Sequence, residues 1–327
     1  MDQILARLSG RTGIPHCVGT TGIGILRTSH EEYQQPAITV MTGRFPEHAF
    51  RVFKSVQADL SDFQDQHRSW IVGNAQTFAV VHAAPESEEL QQMIPDLSDV
   101  LNGGFLVGGL TSSHGRNLQI ADSVMSGGCS GVLFSQDVPV ATGLPQGCSP
   151  IGPKRVITRA SRNIVLSIDE RPALEVFKED IGETLAADLS RTAGYIFAAL
   201  PVAGSDTGDY LVRNIVGIDP QNGLIAIGDV AQEGGQIMFC RRDGNTARDD
   251  MLRMLKQARS RISGGQPRGA LYFSCLGRGR HTFGEDSVEL GLIAEEFGDL
   301  PLVGFFANGE ISHRRLYGYT GVLTLFL

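Results

Sequence analysis

The segment Gly277-Arg278-Gly279-Arg280-His281, directly after the apolar run 271–275, holds the densest set of groups able to grip an anion. Glycines let successive backbone N–H groups converge on one point, and guanidinium groups bind a carboxylate or phosphate through paired hydrogen bonds. A solvated basic turn is the alternative. Arg242 and Asp243 end a second apolar run, 236–240, and form the pairing an α-amino acid demands: a guanidinium for its carboxylate and a carboxylate for its ammonium. The competing role for Asp243 is to cap a helix starting near Ala247. Asn308 and Glu310, in a glycine-flanked turn, add an amide and a carboxylate, or simply build the turn. Arg242, Asp243, Arg278, Asn308 and Glu310 make a ligand set for a small anion or zwitterion, and Gln146, Cys148 and Cys275 are further binding candidates.

Covalent chemistry has less to stand on. Cys275 and His281 invite a thiol mechanism, but a cysteine nucleophile needs an adjacent base and an orienting third group, and neither is set by a spacing of six along a glycine-rich loop. Cys148, in the turn Gln146-Gly147-Cys148-Ser149-Pro150, has the better chance of facing a pocket. No Gly-Lys-Ser/Thr follows the 277–281 loop, and Gly103 to Gly109 lies around a strand and does not open a helix, so neither nucleotide-binding loop is present. The eight histidines contain no H-x-x-x-H or H-E-x-x-H pattern, which withholds support from a zinc hydrolase. The expectation is a binding protein and not an enzyme, with a cysteine-dependent enzyme as the lesser alternative.

The composition narrows the partners. Lys plus Arg number 28 against 36 Asp plus Glu, a formal charge of −8, which argues against a nucleic-acid surface. Cys17, Cys129, Cys148, Cys240 and Cys275 are odd in number and far apart, as expected for free thiols in a reducing cytosol. No basic leader with an apolar core opens the chain and no window of ~20 apolar residues occurs, so a cytoplasmic protein without membrane contact is expected.

The elements that must position these groups are helices and strands in alternation. Leu174, Phe177, Ile181, Leu185 and Leu189 place an apolar stripe on a helix over 171–189, and Met251, Leu255, Ala258 and Ile262 do so over 247–262. Shorter helices are expected at 86–101, bent or split by Pro95, and at 286–297. Short apolar runs predict strands at 78–82, 105–110, 131–134, 163–168, 223–228, 236–240, 271–275, 302–306 and 321–327. Interleaving of the two types indicates a mixed α/β (α+β) class and excludes an all-helical bundle or an all-β sandwich. An internal echo stands out. A strand, a helix, Phe105-Leu106-Val107-Gly108-Gly109-Leu110 and Gly131-Val132-Leu133 return as a strand, a helix, Pro301-Leu302-Val303-Gly304-Phe305-Phe306 and Gly321-Val322-Leu323. A fainter third copy runs from Cys17 to Ile23 toward a strand at 37–41. Strand–helix–strand units duplicated in this way predict two related halves, and a cleft between related halves is a common ligand site.

The run Gly143-Leu144-Pro145-Gln146-Gly147-Cys148-Ser149-Pro150-Ile151-Gly152-Pro153 resembles the signature of the FIST proteins. Arg171 to Val176, Tyr210 to Ile215, Arg241-Arg242-Asp243, Ser274-Cys275, Gly277-Arg278-Gly279, Pro301 to Phe305 and Gly309-Glu310-Ile311 extend the likeness over nearly the whole chain. The resemblance implies a FIST N-terminal domain over 1–170 and a FIST C-terminal domain over 171–327: cytoplasmic sensory modules for small ligands, amino acids among those suggested, signalling here through a separate partner protein. No cofactor is implied for the pair as such. Some relatives resemble haem-containing nitric-oxide sensors, and a single axial histidine holds haem without a motif, so haem stays an open alternative with His114 as its candidate. The family usually has a strand and most of a helix ahead of the segment that residues 1–8 resemble, so the expectation is a start lying further upstream or a sheet short of one strand.

Overall fold

The strand Phe78–Ala83 is buried at every position, so it must be covered on both faces. The computed structural model, which describes residues 1–33, 35–74, 77–87, 89–202, 209–262, 265–284 and 286–327, shows how. Phe78–Ala83 pairs in parallel with Phe105–Leu110 and antiparallel with Cys129–Phe134. Phe50–Val56 closes one edge of this first sheet, and the hairpin of Glu310–His313 and Arg315–Tyr317 closes the other. A second sheet repeats the plan. Gly269–Cys275 pairs in parallel with Leu302–Ala307 and antiparallel with Gly321–Phe326, Val140–Gly143 lies on one edge, and the hairpin of Gly24–Arg27 and His30–Tyr33 lies on the other. Each sheet thus takes its outer hairpin from the opposite end of the chain.

The two echo copies are the centres of these two sheets. Gly108 and Gly304 occupy the same register, opposite Val81 and Tyr272. A Cβ at either would lie 1.8 Å or 1.7 Å from the facing carbonyl oxygen, which explains the repeated Val-Gly. The closing triplets do not superpose so simply: Gly131 stands opposite Val81, whereas Gly321 stands opposite Ser274, two residues along. The fainter third copy is not a repeat. Val18–Thr20 joins a small separate sheet with Gln119–Ala121 and Val124–Met125, and residues 37–41 form no strand.

Alternation along the strands fills an inner apolar layer with Phe78, Val80, Val107, Val132 and Phe134 from the first sheet and Phe273, Phe305, Val322 and Phe326 from the second. Phe78 stacks on Phe134 with ring centroids 5.2 Å apart, a contact type that adds about 0.5–1.5 kcal/mol beyond area burial. The outer face of the first sheet is covered by the helices Ser61–Val72 and Leu90–Val100, and that of the second by Gly244–Arg261 and Val288–Phe297. The result is a helix/sheet/sheet/helix stack.

Residues 147–247 form a second compact unit, while 1–146 and 248–327 together build the first. In the second unit Arg155–Ser161, Ile164–Ile168, Leu224–Ile227, Tyr210–Asp219, Ile196–Pro201 and Gln236–Arg242 pair in succession, and the last pairs with the first, closing a barrel. The helix Ala173–Ile181 sends Leu174, Val176 and Phe177 into the barrel's core. The expected division at 170/171 is one of sequence and falls inside this unit.

Other differences have local causes. The helix expected over 171–189 ends at Ile181 because Gly182 takes φ 79°, ψ 161°, and the chain resumes as the short helix Glu183–Ala186. The helix expected at 86–101 runs Leu90–Val100 unbroken through Pro95, and Glu88 lies outside the described residues. The strands Phe50–Val56, Arg155–Ser161, Ile196–Pro201 and Tyr210–Asp219 were not predicted.

Candidate functional site

The parallel pair Gly269–Cys275 and Leu302–Ala307 ends where the glycine-arginine loop begins, which is where α/β sheets hold ligands. Arg278 lies in that loop and is fully buried. Its Nε donates to Glu289 Oε1 at 2.8 Å and its Nη2 stands 2.7 Å from the same oxygen. Tyr272 Oη donates to Oε1 at 2.6 Å, Ser274 Oγ to Oε2 at 2.9 Å, and the Gly279 N–H to Oε2 at 3.2 Å. The loop does cradle an anion with glycine backbone and guanidinium, and that anion is the chain's own Glu289. Gly279 is required on a second count. It sits at φ 54°, and a Cβ there would meet the Tyr33 hydroxyl at 2.1 Å.

Glu310 lies opposite Gly109 in the first sheet and is also fully buried. Its Oε2 accepts from Thr320 Oγ1 at 2.8 Å and from Thr320 N at 3.2 Å, while Oε1 accepts no hydrogen bond. Burial pushes this carboxyl up to about 8, against the Thr320 bonds, the nearby Arg278 charge and the weak Cys275 thiol donor, all of which favour ionisation. The Cys275 thiol is a neighbour of Glu310, and burial together with that carboxyl raises its pKa far above the usual thiol range. A thiol so placed is a poor source of thiolate.

One register row separates the two sheets chemically. Across the first sheet the residues are Ser130, His82, Gly109 and Glu310; across the second, Val322, Phe273, Phe305 and Ile25 stand at the equivalent places. His82 packs edge-on against Phe273 and Phe305, its Nδ1 has no hydrogen-bond partner, and burial pushes it down to about 4. Ser130 Oγ donates to Gln119 Oε1 at 2.6 Å. Polar groups replace apolar ones in only one copy of a duplicated plan, at a buried place where each unsatisfied atom costs about 1–3 kcal/mol. His82 was not among the candidates from sequence. Setting the two echo copies side by side would have exposed it, since His82 aligns with Phe273 and Gly109 with Phe305.

The remaining candidates divide. Gln146 forms an isolated bridge with Thr320, the partner of Glu310, and its N–H donates to Asp250 Oδ2 at 2.7 Å. Cys275, Arg278, Glu310 and Gln146 are therefore brought together. Asn308 is exposed. Arg242, Asp243 and Cys148 belong to the barrel unit. There Asp243 Oδ1 accepts from Asn245 N at 3.0 Å and Thr246 N at 3.1 Å, capping the helix Gly244–Arg261. Arg242 lies over the Phe197 ring at 5.9 Å, and Cys148 is buried beside Cys240.

His114 is exposed and lines a cleft of about 480 Å³ together with Gly22, Ile23, Ile25, Glu32 and Gln35. That mixed, open lining is a poor match to the enclosed apolar surroundings of an axial haem ligand. Among the described residues no group of three or more His, Cys, Asp or Glu could hold a metal ion, and no helix is long and apolar enough to cross a membrane.

The family model of the FIST N domain matches residues 1–171 and that of the FIST C domain matches residues 173–313. An uncharacterised protein of Mycobacterium tuberculosis is 29% identical over 340 residues, which cover 99% of this chain and 87% of that protein. An uncharacterised protein of Mycobacterium bovis is 34% identical over 236 residues, 69% of this chain and 60% of its own length. FIST domains are associated with sensory signal transduction. The two matches in order along the chain, on top of the loop at 277–279 and the strand carrying Glu310, make this protein a member of the FIST family.

Proposed function

We propose that this FIST protein is a cytoplasmic sensor of a small ammonium-bearing ligand, an amino acid being the simplest, which signals through a separate protein and catalyses no reaction. The observation that carries this reading is Glu310: a sealed carboxyl whose Oε1 lacks a donor. The guanidinium beside it is already neutralised by Glu289. A ligand ammonium would supply the missing donor and let Glu310 ionise, so binding near neutral pH should release a proton. Asn308, two residues away, is exposed and is the surface residue nearest in sequence to this carboxyl. The inertness of the buried Cys275 thiol supports a binding role over covalent catalysis.

Titration calorimetry against an amino-acid panel, run in two buffers of different ionisation enthalpy, tests the reading. Heat for at least one member, a buffer dependence that reports proton release, and loss of both in Glu310→Gln are expected. No heat from any member, with the protein melting cooperatively, overturns it. The haem alternative rests on His114 alone; a Soret band on haem addition that His114→Ala abolishes would favour it instead.

A further inference from the structure

A different face of the same unit carries a second orphaned carboxyl. Glu31 lies in the hairpin strand His30–Tyr33, is 8% exposed, and has no hydrogen-bond partner on either carboxyl oxygen. Its position is held by its N–H, which donates to Ser287 Oγ at 3.0 Å. The Ser287 backbone N–H and the Tyr33 hydroxyl lie beside the carboxyl and favour its ionisation, while the charged neighbours Glu289 and Asp286 oppose it. Glu289 is committed to Arg278. Neither the Tyr33 hydroxyl nor a Glu31 oxygen completes a hydrogen bond of ordinary geometry.

The Tyr33 ring is stacked on Phe306, with centroids 4.7 Å apart and planes 21° from parallel. The Arg280 guanidinium lies over the same Tyr33 ring at 4.2 Å, its Nε 3.7 Å from Asp286 Oδ1. Of the charges gathered here, Arg278 answers Glu289 and Arg280 answers Asp286, which leaves Glu31 without a counter-ion. Arg280 and Asp286 have side chains 36% and 58% exposed, so the place that Arg280 occupies opens to solvent.

We propose that the Tyr33 ring, Asp286 and the buried Glu31 form a seat for a guanidinium-bearing small molecule, filled in the free protein by the chain's own Arg280. An aromatic face with two carboxylates beside it is what a planar cation requires: the ring attracts its face and the carboxylates accept its edge N–H groups. Arg280 takes the ring and the outer carboxylate only. A free guanidinium, untethered to the loop, can also reach Glu31, and this gives it an advantage over the resident side chain. Burial and the neighbouring acids push Glu31 up to about 7, a state that an arriving cation would reverse.

Methylguanidinium is the probe, followed by calorimetry and by the Tyr33 ring resonances. Arg280→Ala and Arg280→Gln vacate the seat and should each bind about tenfold more tightly than the wild type, a gain worth about 1.4 kcal/mol. Arg280→Lys keeps it filled and should bind as the wild type does. Glu31→Gln added to Arg280→Ala should remove the gain, and the Tyr33 resonances should move only where binding occurs. Equal affinity for wild type and both vacated variants overturns the proposal, as does a gain that survives Glu31→Gln. This seat does not depend on the Glu310 reading. Loss of methylguanidinium binding in Glu310→Gln with Glu31 intact would place the cation at Glu310 and refute the seat.

Discussion

Replacing Glu310 by Gln removes one titrating group from the interior while keeping its shape, and the consequence can be worked out in advance. In the unfolded chain this carboxyl titrates near 4.5; in the folded protein burial moves it up to about 8. Between those values the folded state holds a proton that the unfolded state has lost. Stability contributed by this group is therefore greatest below pH 4.5, falls as pH rises, and levels off above about 8. At 1.36 kcal/mol per unit, the loss between pH 5 and pH 8 comes to about 3–4 kcal/mol. His82 acts in the opposite sense. Pushed down to about 4 from 6.5, it adds stability as pH rises through that interval and nothing beyond it. Glu31, raised to about 7, falls in the same direction as Glu310. Urea unfolding of wild type and Glu310→Gln at pH 5 and pH 8 cancels His82 and Glu31, because both proteins carry them. The wild type should lose about 3–4 kcal/mol more than the variant across that range. Parallel pH profiles would mean that Glu310 is ionised in the fold, and would refute the reasoning about its unpartnered oxygen.

Two further substitutions test the supports of the site. Glu289→Ala leaves the buried Arg278 charge uncompensated, so chemical denaturation should show a loss of about 3–5 kcal/mol, whereas the double change Arg278→Met with Glu289→Leu should recover most of it. Gly304→Ala would bring a Cβ within 1.7 Å of the Tyr272 carbonyl oxygen. The parallel pair at the centre of the second sheet should then fail, read as loss of cooperative thermal unfolding.

Much of the architecture was legible along the chain. The duplicated Val-Gly strands, the apolar runs and the stripe over 247–262 announced a mixed α/β protein, because one-dimensional periodicity records which faces a strand or helix must bury. Part of what escaped was half-buried strand. Arg155–Ser161 and Tyr210–Asp219 mix polar with apolar residues and are only partly buried around a barrel, and such a pattern reads as surface until the closing partner strand is known. Among site residues, the glycine-arginine loop reads from its sequence as suited to a ligand anion, whereas in the fold Arg278 and the Gly279 N–H hold the chain's own Glu289. The identity of the anion was out of reach, since Glu289 sits on a helix ten positions beyond Gly279 and approaches it only when that helix packs on the sheet.

The residues alone determined that this chain holds two copies of one strand–helix–strand unit, with a Val-Gly pair repeated in each at Gly108 and Gly304. Only the tertiary structure decided that the outer hairpin of each sheet comes from the far end of the chain. It also decided that Arg278 is bound to Glu289 and that Glu310 and Glu31 are left with oxygens unanswered. The physical reason is that a residue's type sets what it can bond to, whereas burial and long-range pairing set whether a partner is within reach.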